Sequence, residues 1–175
     1  MNGVMEWWID GLMGESMRKD VLILGVGNVL LSDEGVGVHV AQRLQKMALP
    51  SNIEVVDGGT AGFELIEFFF GKKKIIIVDA VQTDDEAGSI FRFVPEEAAL
   101  RWAKPYSSHQ TGVRELLHFA QHLEPLPQIV VYGIVPTAFD CLSTNLSEIL
   151  EDRLPLLIHR IINEAVEEPA IEATR

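Results

Sequence analysis

The sequence predicts an α/β domain, a three-layer α/β/α sandwich built on a mainly parallel twisted sheet with one antiparallel edge strand. Three observations carry that expectation. Val21-Leu22-Ile23-Leu24, Ile75-Ile76-Ile77-Val78 and Ile129-Val130-Val131-Tyr132 are short continuous apolar runs, the pattern of strands covered on both faces. Segments whose apolar residues recur at helical spacing separate them, so strands alternate with helices and the strand ends can gather along one edge. Ser89-Ile90-Phe91-Arg92-Phe93-Val94 alternates instead, as a half-exposed edge strand does. With 175 residues, 47% of them hydrophobic, the chain has the size of one domain with a full core. That domain is expected over residues 17–166, with 1–16 an N-terminal extension and 167–175 a flexible tail.

The first strand runs into Gly25-Val26-Gly27, whose glycines allow a tight turn, and then into Ser32-Asp33-Glu34. Ser32 is the expected N-cap of a helix over residues 33–48, and Asp33 and Glu34 fall in its first turn, where negative charge suits the helix dipole. Val36, Val40, Leu44 and Met47 form its buried stripe, and His39 reads as a solvent-facing or core-edge residue. Ile53-Glu54-Val55-Val56-Asp57 is the second strand, Gly58-Gly59-Thr60 a sharp turn, and Phe63, Leu65, Ile66 and Phe69 the apolar residues of the next helix. Lys72-Lys73-Lys74 reads as a solvated charge run before the third strand, which ends in Asp79.

Residues 95–103 suggest a short helix, followed by a loop to His109 and a helix whose stripe is Val113, Leu116, Leu117, Ala120 and Leu123. His118 and His122 have the spacing of a zinc-binding helix, but Phe119 stands where the catalytic Glu would be, so both read as surface or packing residues. The last strand, Ile129 onward, closes at Pro136. After a loop carrying Cys141, the residues Leu146, Ile149, Leu150, Leu154, Leu157, Ile158 and Ile161 mark a C-terminal helical region, kinked or divided at Pro155.

Fourteen Lys and Arg against 26 Asp and Glu give a net charge of −12, which argues against a basic surface for nucleic acid or anionic membranes. No apolar run is long enough to span a bilayer, and residues 1–16 lack the positive start and continuous apolar core of a signal peptide. The single Cys141 excludes an internal disulfide framework and fits a cytoplasmic location. Gly25-Val26-Gly27 opens like a dinucleotide fingerprint, but Leu30 holds the place of the third glycine and the acids would face the phosphates.

Acids recur at strand ends: Glu34 after the first, Asp57 at the second, Asp79 at the third, with His109 able to join them at the carboxyl edge. Two carboxylates and an imidazole suit a borderline divalent ion such as nickel or zinc. These residues sit in Asp33-Glu34-Gly35-Val36-Gly37, preceded by Gly25-Val26-Gly27-Asn28, in Asp57-Gly58-Gly59-Thr60, in Val78-Asp79-Ala80 and in Ser108-His109-Gln110. In that order and spacing, over roughly residues 18–164, the chain resembles the hydrogenase maturation endopeptidases.

The resemblance implies an α/β/α fold and an endopeptidase that removes the C-terminal peptide of the nickel–iron hydrogenase large-subunit precursor after nickel insertion. It implies that Glu34, Asp79 and His109 contact the metal and that Asp57 is the catalytic acid of the glycine turn. The nickel would be carried by the substrate and bound weakly by the free protein, as a three-donor site without thiolate suggests. The carboxylates could activate water as an aspartic-type pair does, or the metal could polarise the scissile carbonyl. A non-catalytic nickel-binding maturation chaperone is the alternative. A cysteine hydrolase built on Cys141 and His109 is a further rival, although nothing in the sequence marks Cys141 as activated.

Overall fold

Val21–Val26 (β1) is buried at every position, so it can only lie inside a sheet covered on both faces. It pairs in parallel with Ile53–Gly59 (β2) on one side and with Lys74–Ala80 (β3) on the other. The structure, a computed structural model, describes residues 19–94, 108–137 and 141–167, without the side chains of residues 108–112. Gln128–Ile134 (β5) extends the parallel sheet beyond β3, and Ile90–Phe93 (β4) closes that side antiparallel to β5. The order is β2-β1-β3-β5-β4, as the mainly parallel sheet with one antiparallel edge strand requires.

Alternation along the strands divides the core in two. Ile23, Ile76, Val78, Val130 and Tyr132 pack with Val36, Val40 and Leu44 of Val36–Leu44 (α1) and with Leu150, Leu154, Leu157 and Ile161 of Glu148–Val166 (α3). On the opposite face, Leu22, Leu24, Ile75 and Ile77 meet Leu65 and Phe69 of a 3-10 segment, Gly62–Phe69, and Val113, Leu116 and Leu117 of Ser108–Ala120 (α2). Burial of each such side chain contributes about 1.5–3 kcal/mol, which is why the three layers follow directly from the periodicity. No helix among the described residues is long and apolar enough to cross a membrane.

Several local expectations are corrected. The helix expected over residues 33–48 is a 3-10 turn, Ser32–Gly35, followed by α1, which ends at Leu44 and leaves Met47 exposed. Ser32 is no N-cap: its φ of 50° is left-handed, and its Oγ donates to the Asn145 carbonyl at 2.8 Å instead of accepting a helix amide. The segment after β2 is 3-10 rather than α-helical.

The lysine run is not uniformly solvated, because Lys72 and Lys74 are buried while Lys73 alone faces water. Lys72 Nζ donates to Glu54 at 2.6 Å, and Lys74 Nζ to the carbonyls of Glu164 and Glu167 at 2.6 and 3.1 Å. Lys74 thereby closes the C-terminus of α3, where unsatisfied carbonyls and the dipole favour a cation. That partner lies 90 residues away, beyond the reach of local pattern. Helix α3 also runs through Pro155 undivided. Pro155 is on the exposed side, where water can take up the Glu151 carbonyl that proline leaves without its helical donor. The short helix expected over residues 95–103 lies outside the described residues, as do 1–16 and most of the expected tail.

Candidate active site

Two glycines bring the start of α1 down onto the strand ends. A Cβ on Gly37 would land on the carbonyls of Val78 and Val26, and one on Gly25 would land on the Gly37 carbonyl, so no larger residue fits either place. The 3-10 turn Ser32–Gly35 is consequently pressed against the carboxyl end of β3. Glu34 is 2% exposed there and Asp79 is fully buried. Asp79 shares the sheet face of Ile75 and Ile77, and its Oδ1 accepts the Ala80 amide at 2.8 Å. Across the sheet its register neighbours are Gly133 and then Phe91.

His109 is the second residue of α2, the helix that covers the face Asp79 belongs to. Its side chain lies outside the described residues. Among the described residues no three His, Cys, Asp or Glu side chains cluster as a metal site, and the expected set includes His109. What the structure brings together is the Glu34 turn and the end of β3.

Asp57 stands apart. It is exposed, sits beside Gly25 in the register, and shares the sheet face of Ile53 and Val55, the α1 side, opposite to that of Asp79. Its Oδ1 accepts the Gly59 amide at 3.1 Å, an Asx-type turn bond, and its Oδ2 accepts Gln42 Nε2 at 3.0 Å.

Asp33 is the residue that sequence reasoning passed over. It is 1% exposed and accepts three hydrogen bonds: from Ser147 N at 2.7 Å on Oδ1, and from Thr137 N and Ser147 Oγ, each at 2.8 Å, on Oδ2. Ser147 is also the N-cap of α3, accepting from the Leu150 amide. No sequence signal marked this set, because its two halves are separated by 104 and 114 residues.

Of the other histidines and the cysteine, all but His39 lie at the surface. His118 and His122 are exposed and stack edge to face with each other at 5.6 Å. His39 is half-buried, and burial, followed by the nearby Arg43 charge, lowers its pKa from the usual 6.5. Cys141 is exposed and free.

Residues 38–164 match the family model described as hydrogenase maturation protease. The chain belongs to the hydrogenase maturation protease family. It is 33% identical over 123 residues to the hydrogenase 2 maturation protease of Escherichia coli, covering 69% of this chain and 75% of that one. It spans 65% of the length of two further curated relatives. Among solved structures it superposes on the E. coli hydrogenase maturating endopeptidase HybD with a TM-score of 0.74 at 29% identity, over 85% and 91% of the two chains. It superposes on the [NiFe] hydrogenase maturation protease HybD of Thermococcus kodakarensis with a TM-score of 0.68 at 28% identity, over 85% and 99%. The family match begins after Glu34, so that residue rests on its own geometry: a buried carboxylate on a glycine-seated turn that packs against β3.

Proposed function

We propose that this hydrogenase maturation protease is an endopeptidase that removes the C-terminal peptide of a nickel–iron hydrogenase large-subunit precursor, using the inserted nickel as its recognition signal. The observation that carries the proposal is that the glycine-seated turn of Glu34 packs against β3, whose end bears Asp79, with both carboxylates buried. With His109 at the start of α2 they make a set of two oxygen donors and one imidazole, chemistry suited to nickel held in the substrate. Such a set has no thiolate and supplies at most three side chains, so the free protein binds the ion weakly and the precursor completes the coordination. Asp57 is the proposed water-activating acid, an exposed carboxylate at the end of β2 on the sheet face opposite to that of Asp79. Its bonds to Gly59 and Gln42 give it a turn role as well, and Asp57→Asn separates the two because Asn keeps an oxygen for the Gly59 amide and loses the charge.

The test is to incubate the protein with a nickel-loaded large-subunit precursor and weigh the products. A single loss corresponding to a C-terminal peptide is expected. A precursor left whole but bound together with nickel would point to the chaperone reading instead.

A further inference from the structure

The turn that carries Glu34 is tied to a segment far along the chain. Ser32, two residues before Glu34, is the one non-glycine residue with positive φ among the described residues, at 50°. Such a conformation persists only where the surroundings over-determine it, and it tends to collect at functional positions. Here the bonds to Ser32 itself come from one distant segment. Ser32 N donates to the Ser143 carbonyl at 2.8 Å, Ser32 Oγ to the Asn145 carbonyl at 2.8 Å, and Ser143 N returns a bond to the Leu30 carbonyl at 3.2 Å. Leu31 and Ser143 form an isolated parallel bridge.

Asp33 completes the attachment from inside. Both oxygens of its buried carboxylate are engaged, by Thr137 N, Ser147 N and Ser147 Oγ, at 2.7 to 2.8 Å. The Ser147 hydroxyl is itself fixed, since it receives Thr137 Oγ1 at 2.9 Å and the Leu150 amide at 3.4 Å while donating to Asp33. Rotation of Asp33 would therefore break its bonds to Thr137, just beyond β5, and to Ser147, the N-cap of α3, together. The Glu34 amide bonds back to Leu31 at 3.1 Å, so the Glu34 backbone belongs to the same turn that Ser32 and Asp33 attach.

We propose that Asp33 is a positioning residue: it locks the turn bearing Glu34 to Thr137 and Ser147, and so sets the place from which Glu34 meets the metal of the substrate. The second half rests on the processing reading above; the first half does not. A displacement of about 1 Å at such a position costs on the order of a hundredfold in rate. Asp33→Asn retains the shape and one acceptor oxygen, but its amide cannot accept the Thr137 N–H, so the clamp loosens without removing the side chain.

The test compares Asp33→Asn with wild type by amide hydrogen exchange and by precursor processing, beside Ile161→Val, a core change in the middle of α3 that lowers overall stability only. Exchange should rise together in residues 28–36 and 141–147 while residues 74–80 of β3 keep wild-type protection. Processing by the folded variant should fall about a hundredfold, with Ile161→Val processing like wild type. Wild-type protection in residues 28–36 of Asp33→Asn, or processing within about threefold of wild type, on a scale where a true displacement costs far more, would overturn the proposal. Failure of the wild-type protein itself to cut the precursor would sink the processing reading, and the exchange comparison would still decide whether Asp33 holds the turn.

Discussion

The two ends of the parallel sheet treat buried charge in opposite ways. At the amino end, Glu164 of α3 is met by two cations: Lys74 Nζ at 3.1 Å and Arg92 Nε at 2.7 Å, with Tyr132 donating its hydroxyl at 3.3 Å. That is a closed set in which acid and base neutralise one another, and it ties α3 to β3, β4 and β5. At the carboxyl end, three carboxylates are buried instead, Asp33, Glu34 and Asp79, and the hydrogen bonds that hold Asp33 come from two amides and a hydroxyl, all neutral. An acid-rich edge of this kind is suited to receiving a cation. The amino-end set serves the fold, and the proposed function places the chemistry at the carboxyl end.

Removing charge from the carboxyl end should therefore abolish function and spare the fold. Glu34→Gln and Asp79→Asn are each expected to lower processing by about 10³-fold or more, within the range for losing a group that acts on the reacting atoms. Circular dichroism and thermal melts should remain close to wild type; a folded Asp79→Asn that cuts normally would remove Asp79 from the mechanism. The reverse change is Lys74→Met. It should cost about 3–5 kcal/mol in denaturant unfolding, because it leaves Glu164 and the last carbonyls of α3 short of a buried partner, with processing per folded molecule unchanged.

Asp57→Asn probes the member of the set that lies on the other sheet face. Processing is expected to fall by about 10²-fold at unchanged melting temperature, whereas full processing would leave Asp57 only its turn bond to Gly59.

A smaller effect is carried by pH. The Arg92 guanidinium, hydrogen-bonded to Glu164, holds its carboxyl below the ordinary value of 4.5, with Lys74 acting in the same direction against the opposing effect of burial. Because the folded pKa is the lower one, the stabilisation is present in full above the unfolded value and is lost as pH falls through the folded value. Wild type should lose stability on acidification below about pH 4.5, and Glu164→Gln should lose less over the same interval. An identical acid profile in the two would show that this cluster does not contribute.

The sequence shows the sheet, its edge strand and the strand-end acids because these follow from periodicities of two and 3.6 residues and from glycine placement, all of them local. What it hides depends on contacts between distant segments. Lys72 and Lys74 look like exposed lysines until Glu54 and Glu164 come beside them. Ser32 resembles an N-cap until the strand-like contact with Ser143 forces its φ positive. Asp33 reads by local pattern as a first-turn acid, and only the return of Thr137 and Ser147 shows that its carboxylate ties distant segments together.

The most direct measurement of the carboxyl-end chemistry offers the protein two precursors side by side, one nickel-loaded and one nickel-free, in chelator that strips free ion but not the buried metal. Mass spectrometry reads the C-terminal peptide lost from each. The buried acid set of Glu34 and Asp79, with His109, should act only where the substrate brings the cation, so the loaded precursor is cut and the empty one stays whole. Equal cleavage of both would contradict recognition of substrate-borne nickel.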